Sequence, residues 1–414
     1  MHYANPRARR IAYPAHLQAI MSMSEAQRSR ELLSSWQHLS AHPTPLCALP
    51  GLAAAIGVGS IALKDESVRS PLASFKALGA PVALVRMILR TWPHRGIDAA
   101  TLLRGEHRGL LEDFTVISAT DGNHGRALAA AAQSVGCRCV IVIHANVSVE
   151  RADAIAAYGA HIVRITGNYD ESVVHAAGLA SANGWHVVSD TSYPGYTDIP
   201  RDVMQGYSII AAEIIAQSHA TSTSSPYTHV FLQGGVGGFA AGVASYLWEY
   251  FGTHRPRLIV VEPTEADCLY QSAVLGRPAT ATGSVDSVMA GLACGETSPL
   301  AWQFLDQSVD DFVLVPDDAA VATMRIVANP PHGDIPIVGG ESGIAGLAGL
   351  IALCADAGLR SACALDAHSR ILIINTEGAT APSVYHDLTG VTATSVVAQQ
   401  RIWNKQHHDT HGAH

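Results

Sequence analysis

Three short segments carry residues whose types and spacing could do chemistry. In SPLASFKALGA, Lys76 follows the apolar Phe75 and precedes a glycine-containing helix start. Burial disfavours the charged form of a lysine, and a neutral amine is a nucleophile toward carbonyl carbon. The ordinary alternative is an amphipathic side chain lying along its neighbours. In SATDGNHGRALAAAA, an apolar run over 115–118 enters a glycine-flanked turn and then an Ala-rich helix. Backbone N–H groups at such a helix start can hold an anion such as a carboxylate, although an ordinary βα turn carries the same Asp-Gly-Asn residues. In QGGVGGFAAG, Gly234, Gly235, Gly237 and Gly238 surround Val236 directly after another apolar run. Small residues let backbone amides approach a phosphate, and the positive end of the following helix adds to the attraction. The segment lacks the Gly-Lys-Ser/Thr of a Walker motif and is not a strict dinucleotide fingerprint; a glycine-rich packing turn is its rival.

The elements that must position these residues alternate along the chain. TVISAT, GRALAAAAQSVG, CVIVIH, a helix ending at YGA, and HIVRIT read as successive βαβ units of a parallel sheet. A second series starts at HVFLQGG, passes through a helix to RLIVVEP and returns at RILIINTEG, so two sheets are expected. The polar stretch 220–228 (ATSTSSPYT) reads as a surface loop.

A chain of 414 residues is long enough for two domains sharing a cleft. With 48% hydrophobic and only 15% charged residues, it suits an α/β protein whose sheets are covered on both faces. The net charge of -9 comes with no basic stripe, so a small-molecule partner is expected rather than nucleic acid. Seven scattered cysteines imply a reducing, cytoplasmic setting, and Cys137 and Cys139 would share one face of a strand rather than bridge. The basic N-terminus is not followed by an apolar targeting region, and no apolar run reaches the ~18 residues of a membrane span. Cys137, Cys139 and His144 read as core and strand-end residues, and the His-rich end HHDTHGAH as a solvated tail, so no metal is expected.

The order of the three segments, lysine then Gly-Asn-His-Gly loop then glycine loop, resembles the fold type II pyridoxal 5'-phosphate (PLP) enzymes. The likeness runs from TPLCALPGLAAAIGVGSIALKDES through SFKALGA to INTEGAT, about nine-tenths of the chain. Finer features are similar to the diaminopropionate ammonia-lyase family: Asp121 in ATDGNHGR, Asp190 in SDTSYPGYTDIPRDVMQGY, VEPTEADCLYQSAV, and MAGLACGETSP with Cys294. The chain departs from that family at Tyr193-Pro194, where an aromatic-acidic pair is usual, and in the Ala-Leu-Ala after Arg126.

The resemblance implies an α/β fold of two domains, each with a mainly parallel twisted sheet flanked by helices. The larger would comprise 1–84 and 196–405, the smaller 85–195, with a disordered tail over 406–414. It implies that Lys76 forms the Schiff base with PLP, Asn123 meets the cofactor's 3'-oxygen, and Gly234, Gly235, Val236, Gly237 and Gly238 hold the phosphate. Thr376 would stand by the pyridine nitrogen. Asp121 and Asp190 would face the substrate, although their sequence context alone favours a helix cap and a turn residue. Thr120, Gly122, His124, Tyr193 and Ser342 complete the expected substrate side, with a structural turn as the rival for Ser342. Homodimerisation is implied, and the resemblance leaves room for a monovalent cation.

The implied reaction is α,β-elimination of D- or L-2,3-diaminopropionate to pyruvate and two ammonia. Lys76 would serve as base on one face of Cα and Asp121 on the other, with Asp190 as the acid or anchor for the leaving ammonium. The alternatives are a serine, threonine or hydroxyaspartate dehydratase of the same fold, and a PLP-binding carrier or regulator without turnover. Two carboxylates favour a cationic leaving group over a neutral hydroxyl.

Overall fold

The two apolar series build two separate sheets. The computed structural model describes residues 1–120, 122–167 and 169–408. Its strands are β1 His2–Ala4, β2 Leu46–Ala48, β3 Ser60–Asp65, β4 Thr115–Ala119, β5 Arg138–Ile143, β6 His161–Arg164, β7 His186–Val187, β8 His229–Gln233, β9 Arg257–Pro263, β10 Asp311–Val315 and β11 Arg370–Asn375. Among the described residues a four-stranded sheet has the order β6-β5-β4-β7, all parallel. A seven-stranded sheet has the order β1-β10-β9-β8-β11-β3-β2, with antiparallel pairing only where the short β1 and β2 close its edges. Strands buried on both faces need continuous apolar runs, and β4, β8 and β10 are buried throughout.

The helices that matter for the cleft are α1 Ala80–Thr91, α2 Asn123–Val135, α3 Val149–Ala156, α4 Asp198–Gln217, α5 Gly238–Phe251 and α6 Cys268–Leu275. Short side chains let α2 pack tightly, its Ala127, Ala129, Ala130, Ala131 and Ala132 being wholly buried. Helix α4 lies in the interior and carries Glu213 to a buried ionic cluster, where Lys64 donates at 2.7 Å and Arg69 at 2.7 and 2.6 Å. Glu66 also accepts from Arg69, at 2.8 Å through each oxygen. Losing one member of such a cluster leaves an unpaired buried charge, so it fixes the stretch that leads from β3 toward Lys76 against α4.

Cys137 and Cys139 form no disulfide; Cys139 lies on β5, and His144 follows the strand's end. The 220–228 loop is at the surface, with residues 221–224 exposed. A final helix covers Ala393–His408, so the expected tail begins inside it; residues 409–414 lie outside the described residues. Among the described residues no helix is long and apolar enough to cross a membrane.

Candidate active site

The C-terminal ends of strands from both sheets open onto one cleft, the usual place for ligands in open α/β sheets. The cleft encloses about 920 Å³ of space, part of it open to solvent. Lys76 reaches it from a 3-10 turn, Phe75–Leu78, that precedes α1. The approach is held on both sides. Ala73 adopts the left-handed conformation at φ 52°, and Ser74 caps the turn by accepting from the Lys76 N–H at 3.3 Å. Ser74 is also bridged to Glu377, with the Phe75 N–H donating to the Thr376 carbonyl at 3.0 Å and the Gly378 N–H to the Ala73 carbonyl at 2.9 Å.

The Lys76 ammonium donates to Asp190 Oδ2 and lies 5.2 and 5.6 Å from the ring centres of Phe75 and Tyr207. Burial alone would drive off its proton, as the sequence suggests. The charge of Asp190, helped by Tyr207 and Cys294, outweighs burial and raises the Lys76 pKa. Burial likewise opposes the Asp190 carboxylate, but Lys76 and then His124 hold its pKa well below the usual range. The sequence shows the burial of Lys76 but not its partner: the Asp190 carboxylate beside Nζ opposes the loss of its proton.

Asn123 begins α2 and lines the cleft, its Nδ2 donating to Glu377. Thr120 also lines it, and its hydroxyl accepts from the Gly122 and Gly125 N–H groups at 3.1 and 3.2 Å, which closes the helix start internally. His124 is buried, with Nε2 2.9 Å from the Val188 carbonyl and Nδ1 3.8 Å from Asp190. Burial lowers its pKa despite the Asp190 charge. Asp121 lies outside the described residues.

Gly234, Gly235, Val236 and Gly238 line the opposite wall, while Gly237 is the N-cap of α5 just behind it. Gly235 at φ 66° and Gly237 at φ 98° are left-handed, a conformation that turns successive N–H groups into an anion-binding nest at the positive end of α5. A Cβ on Gly235 would stand 3.5 Å from the Gly291 carbonyl oxygen and 3.7 Å from Cys294 Sγ, both cleft-lining residues. Thr376 and Ser342 line the cleft as well; the Ser342 hydroxyl accepts from the Gly291 N–H at 2.8 Å. Tyr193 does not line it. Its ring stacks on Tyr196 at 4.7 Å, and it is 38% exposed.

Sequence reasoning missed Tyr207, Gln233, Arg151 and Glu377, which also line the cleft. Arg151 stands on α3 and donates to Glu341 across the cleft. Burial, then the charge of Glu377, raises the Glu341 pKa against the pull of Arg151. Tyr207 and Glu377 occur inside the quoted segments SDTSYPGYTDIPRDVMQGY and INTEGAT, so proximity to a recognised motif was the available signal.

The cleft fits a phosphorylated ring cofactor by its own geometry. A nest of left-handed glycines faces it, and Tyr207 Oη, Gln233 Oε1 and His124 Nδ1 are buried polar atoms around it that have no hydrogen-bond partner among the described residues.

Comparison with known proteins agrees. Residues 38–377 match the family model for pyridoxal-phosphate dependent enzymes. Diaminopropionate ammonia-lyase of Escherichia coli strain K12 is 38% identical over 375 residues, covering 89% of this chain and 92% of that protein. A biosynthetic L-threonine dehydratase of Pasteurella multocida is more distant, at 26% over 78% of this chain and 55% of its own length. The crystal structure of the holo Escherichia coli diaminopropionate ammonia lyase superposes with a TM-score of 0.85 at 36% identity, covering 94% of this chain and 96% of that one. The same enzyme in complex with an aminoacrylate-PLP azomethine reaction intermediate gives 0.83. The chain belongs to the pyridoxal-phosphate dependent enzyme family, with the fold type II architecture and PLP as its cofactor. Within that family it is a homologue of diaminopropionate ammonia-lyase, to which the dehydratases are more remote relatives.

Proposed function

We propose that this enzyme eliminates ammonia from 2,3-diaminopropionate, so that substrate plus one water ends as pyruvate and two ammonia. The observation that carries the reading is the burial of Asp190 against Lys76 in the cleft. Lys76 Nζ is the group that would hold PLP, with the Gly234–Gly238 loop for its phosphate, Asn123 for its 3'-oxygen and Thr376 for its ring nitrogen. A buried carboxylate such as Asp190 is stabilised by a cation beside it, and the β-ammonium of diaminopropionate would supply one. The neutral hydroxyl of serine or threonine does not.

Bound PLP supplies the electron sink for the pair left behind when the Cα–H bond breaks. Lys76 Nζ, freed as a neutral amine once the substrate's own amine takes its place on the cofactor, would take the Cα proton of the L-substrate, and Asp121 would take that of the D-substrate. Asp190 holds the β-nitrogen as an ammonium until it departs. Phe75, Tyr207 and Phe239 shield the Lys76 side from water: the Phe75 ring packs 4.7 Å from Tyr207 and 4.8 Å from Phe239.

The division into a larger domain of 1–84 and 196–405 and a smaller one of 85–195 is supported by the placement of strands β4 to β7, all within the inserted segment. The test of the proposal is release of pyruvate and ammonia from D- and L-2,3-diaminopropionate beside D- and L-serine and threonine. Turnover of the hydroxy amino acids alone would overturn it.

A further inference from the structure

We infer that Glu377 is a positioning residue: it fixes the orientation of the Asn123 side-chain amide and thereby the hydrogen bonding that Asn123 offers to PLP. The inference rests on the proposed place of Asn123 beside the cofactor's 3'-oxygen. Glu377 is 3% exposed, and both of its carboxylate oxygens accept. Oε2 takes Asn123 Nδ2, and Oε1 takes the Ser342 N–H at 3.0 Å. An amide presents a donor at one end and an acceptor at the other, whereas a carboxylate only accepts. Facing Glu377, Asn123 must therefore turn its nitrogen to the carboxylate, and the opposite orientation would set two acceptors against each other.

The backbone around Glu377 shows that its place is built. Residue 377 is bridged to Ser74 beside Lys76, and its carbonyl accepts from the Gly340 N–H at 2.9 Å. A Cβ on Gly340 would lie 2.8 Å from Glu377 Cγ, and one on Gly343 would lie 2.8 Å from the Glu377 nitrogen. The glycines of GGESG thus make room for this residue. Glu377 thereby links three parts of the cleft: the Lys76 turn, the start of α2 and the loop carrying Ser342.

A glutamine at 377 offers one acceptor to two donors and can also donate, so the Asn123 amide is no longer held one way. The test reads the cofactor rather than turnover. PLP is titrated into the apo forms of wild type, Glu377→Gln, Asn123→Ala and the double variant, following affinity and the visible absorption spectrum across pH. Glu377→Gln should weaken PLP binding on the order of tenfold, the effect of leaving a buried donor unsatisfied, and should shift the pH profile of the spectrum. In the Asn123→Ala background it should cause no further spectral shift. A wild-type spectrum and affinity in Glu377→Gln would overturn the inference, as would an equal added shift in the double variant. Should Glu377→Gln fail to fold, Glu377→Asp keeps the charge but loses one methylene of reach, and an unchanged spectrum there would overturn it too. These readouts do not depend on the amino-acid substrate, so failure of the diaminopropionate reading leaves them intact.

Discussion

Asp190 accepts a hydrogen bond from Lys76, 114 residues earlier in the chain, and the two charges hold each other ionised at the base of the cleft. Asp190→Asn leaves the ammonium without its partner in a mostly buried site. At neutral pH the apoprotein should lose on the order of 3–5 kcal/mol of stability by chemical denaturation.

The pH dependence of that pair follows from its two shifts. The raised Lys76 pKa contributes stability that is present below the ordinary lysine value and lost as pH rises through the folded value. The depressed Asp190 pKa contributes stability that is present above the ordinary aspartate value and lost as pH falls through the folded value. The difference between wild-type and Asp190→Asn apoprotein should therefore be greatest between about pH 5 and 10 and shrink on either side. A pH-independent difference in unfolding free energy would show that the pair does not titrate as described.

Lys76→Ala should abolish the covalent attachment of PLP. Borohydride reduction followed by mass measurement should find the added cofactor mass in wild type and none in the variant, and its persistence in the variant would reassign the lysine.

Gly235 and Gly159 are both left-handed, at φ 66° and φ 80°, and among the described residues neither has a neighbour that an added Cβ would strike. Alanine at either position should cost a similar ~1 kcal/mol of backbone strain in thermal unfolding. Only Gly235→Ala should weaken PLP binding, because its methyl group would stand in the proposed phosphate cradle. Equal PLP affinity in the two variants would move the phosphate elsewhere.

Asp121→Asn should depress turnover of D-2,3-diaminopropionate on the order of 10²- to 10⁴-fold while largely sparing the L-enantiomer. Equal losses with both, at unchanged PLP content, would remove the two-base reading.

Much of the fold was legible because its signals are local. Apolar runs buried on both faces marked β4, β5, β8, β9 and β11, the short apolar run HIVRIT marked the half-exposed β6, and glycines marked the turns that feed α2 and α5. The order of Lys76, the Gly-Asn-His-Gly loop and the Gly234–Gly238 loop resembles that of the fold type II PLP enzymes, and the cofactor was implied by that resemblance. The two- and three-residue strands β1, β2 and β7 left no such trace, since too few residues alternate to show a period. Tertiary structure alone decided the partners. Asp190 finds Lys76 across 114 residues and Glu377 finds Asn123 across 254. Tyr193, inside the segment that carries Asp190, turns instead onto Tyr196. An ion pair or a carboxylate–amide contact is set by how two distant strand ends converge on one cleft, and no periodicity within a segment encodes that distance.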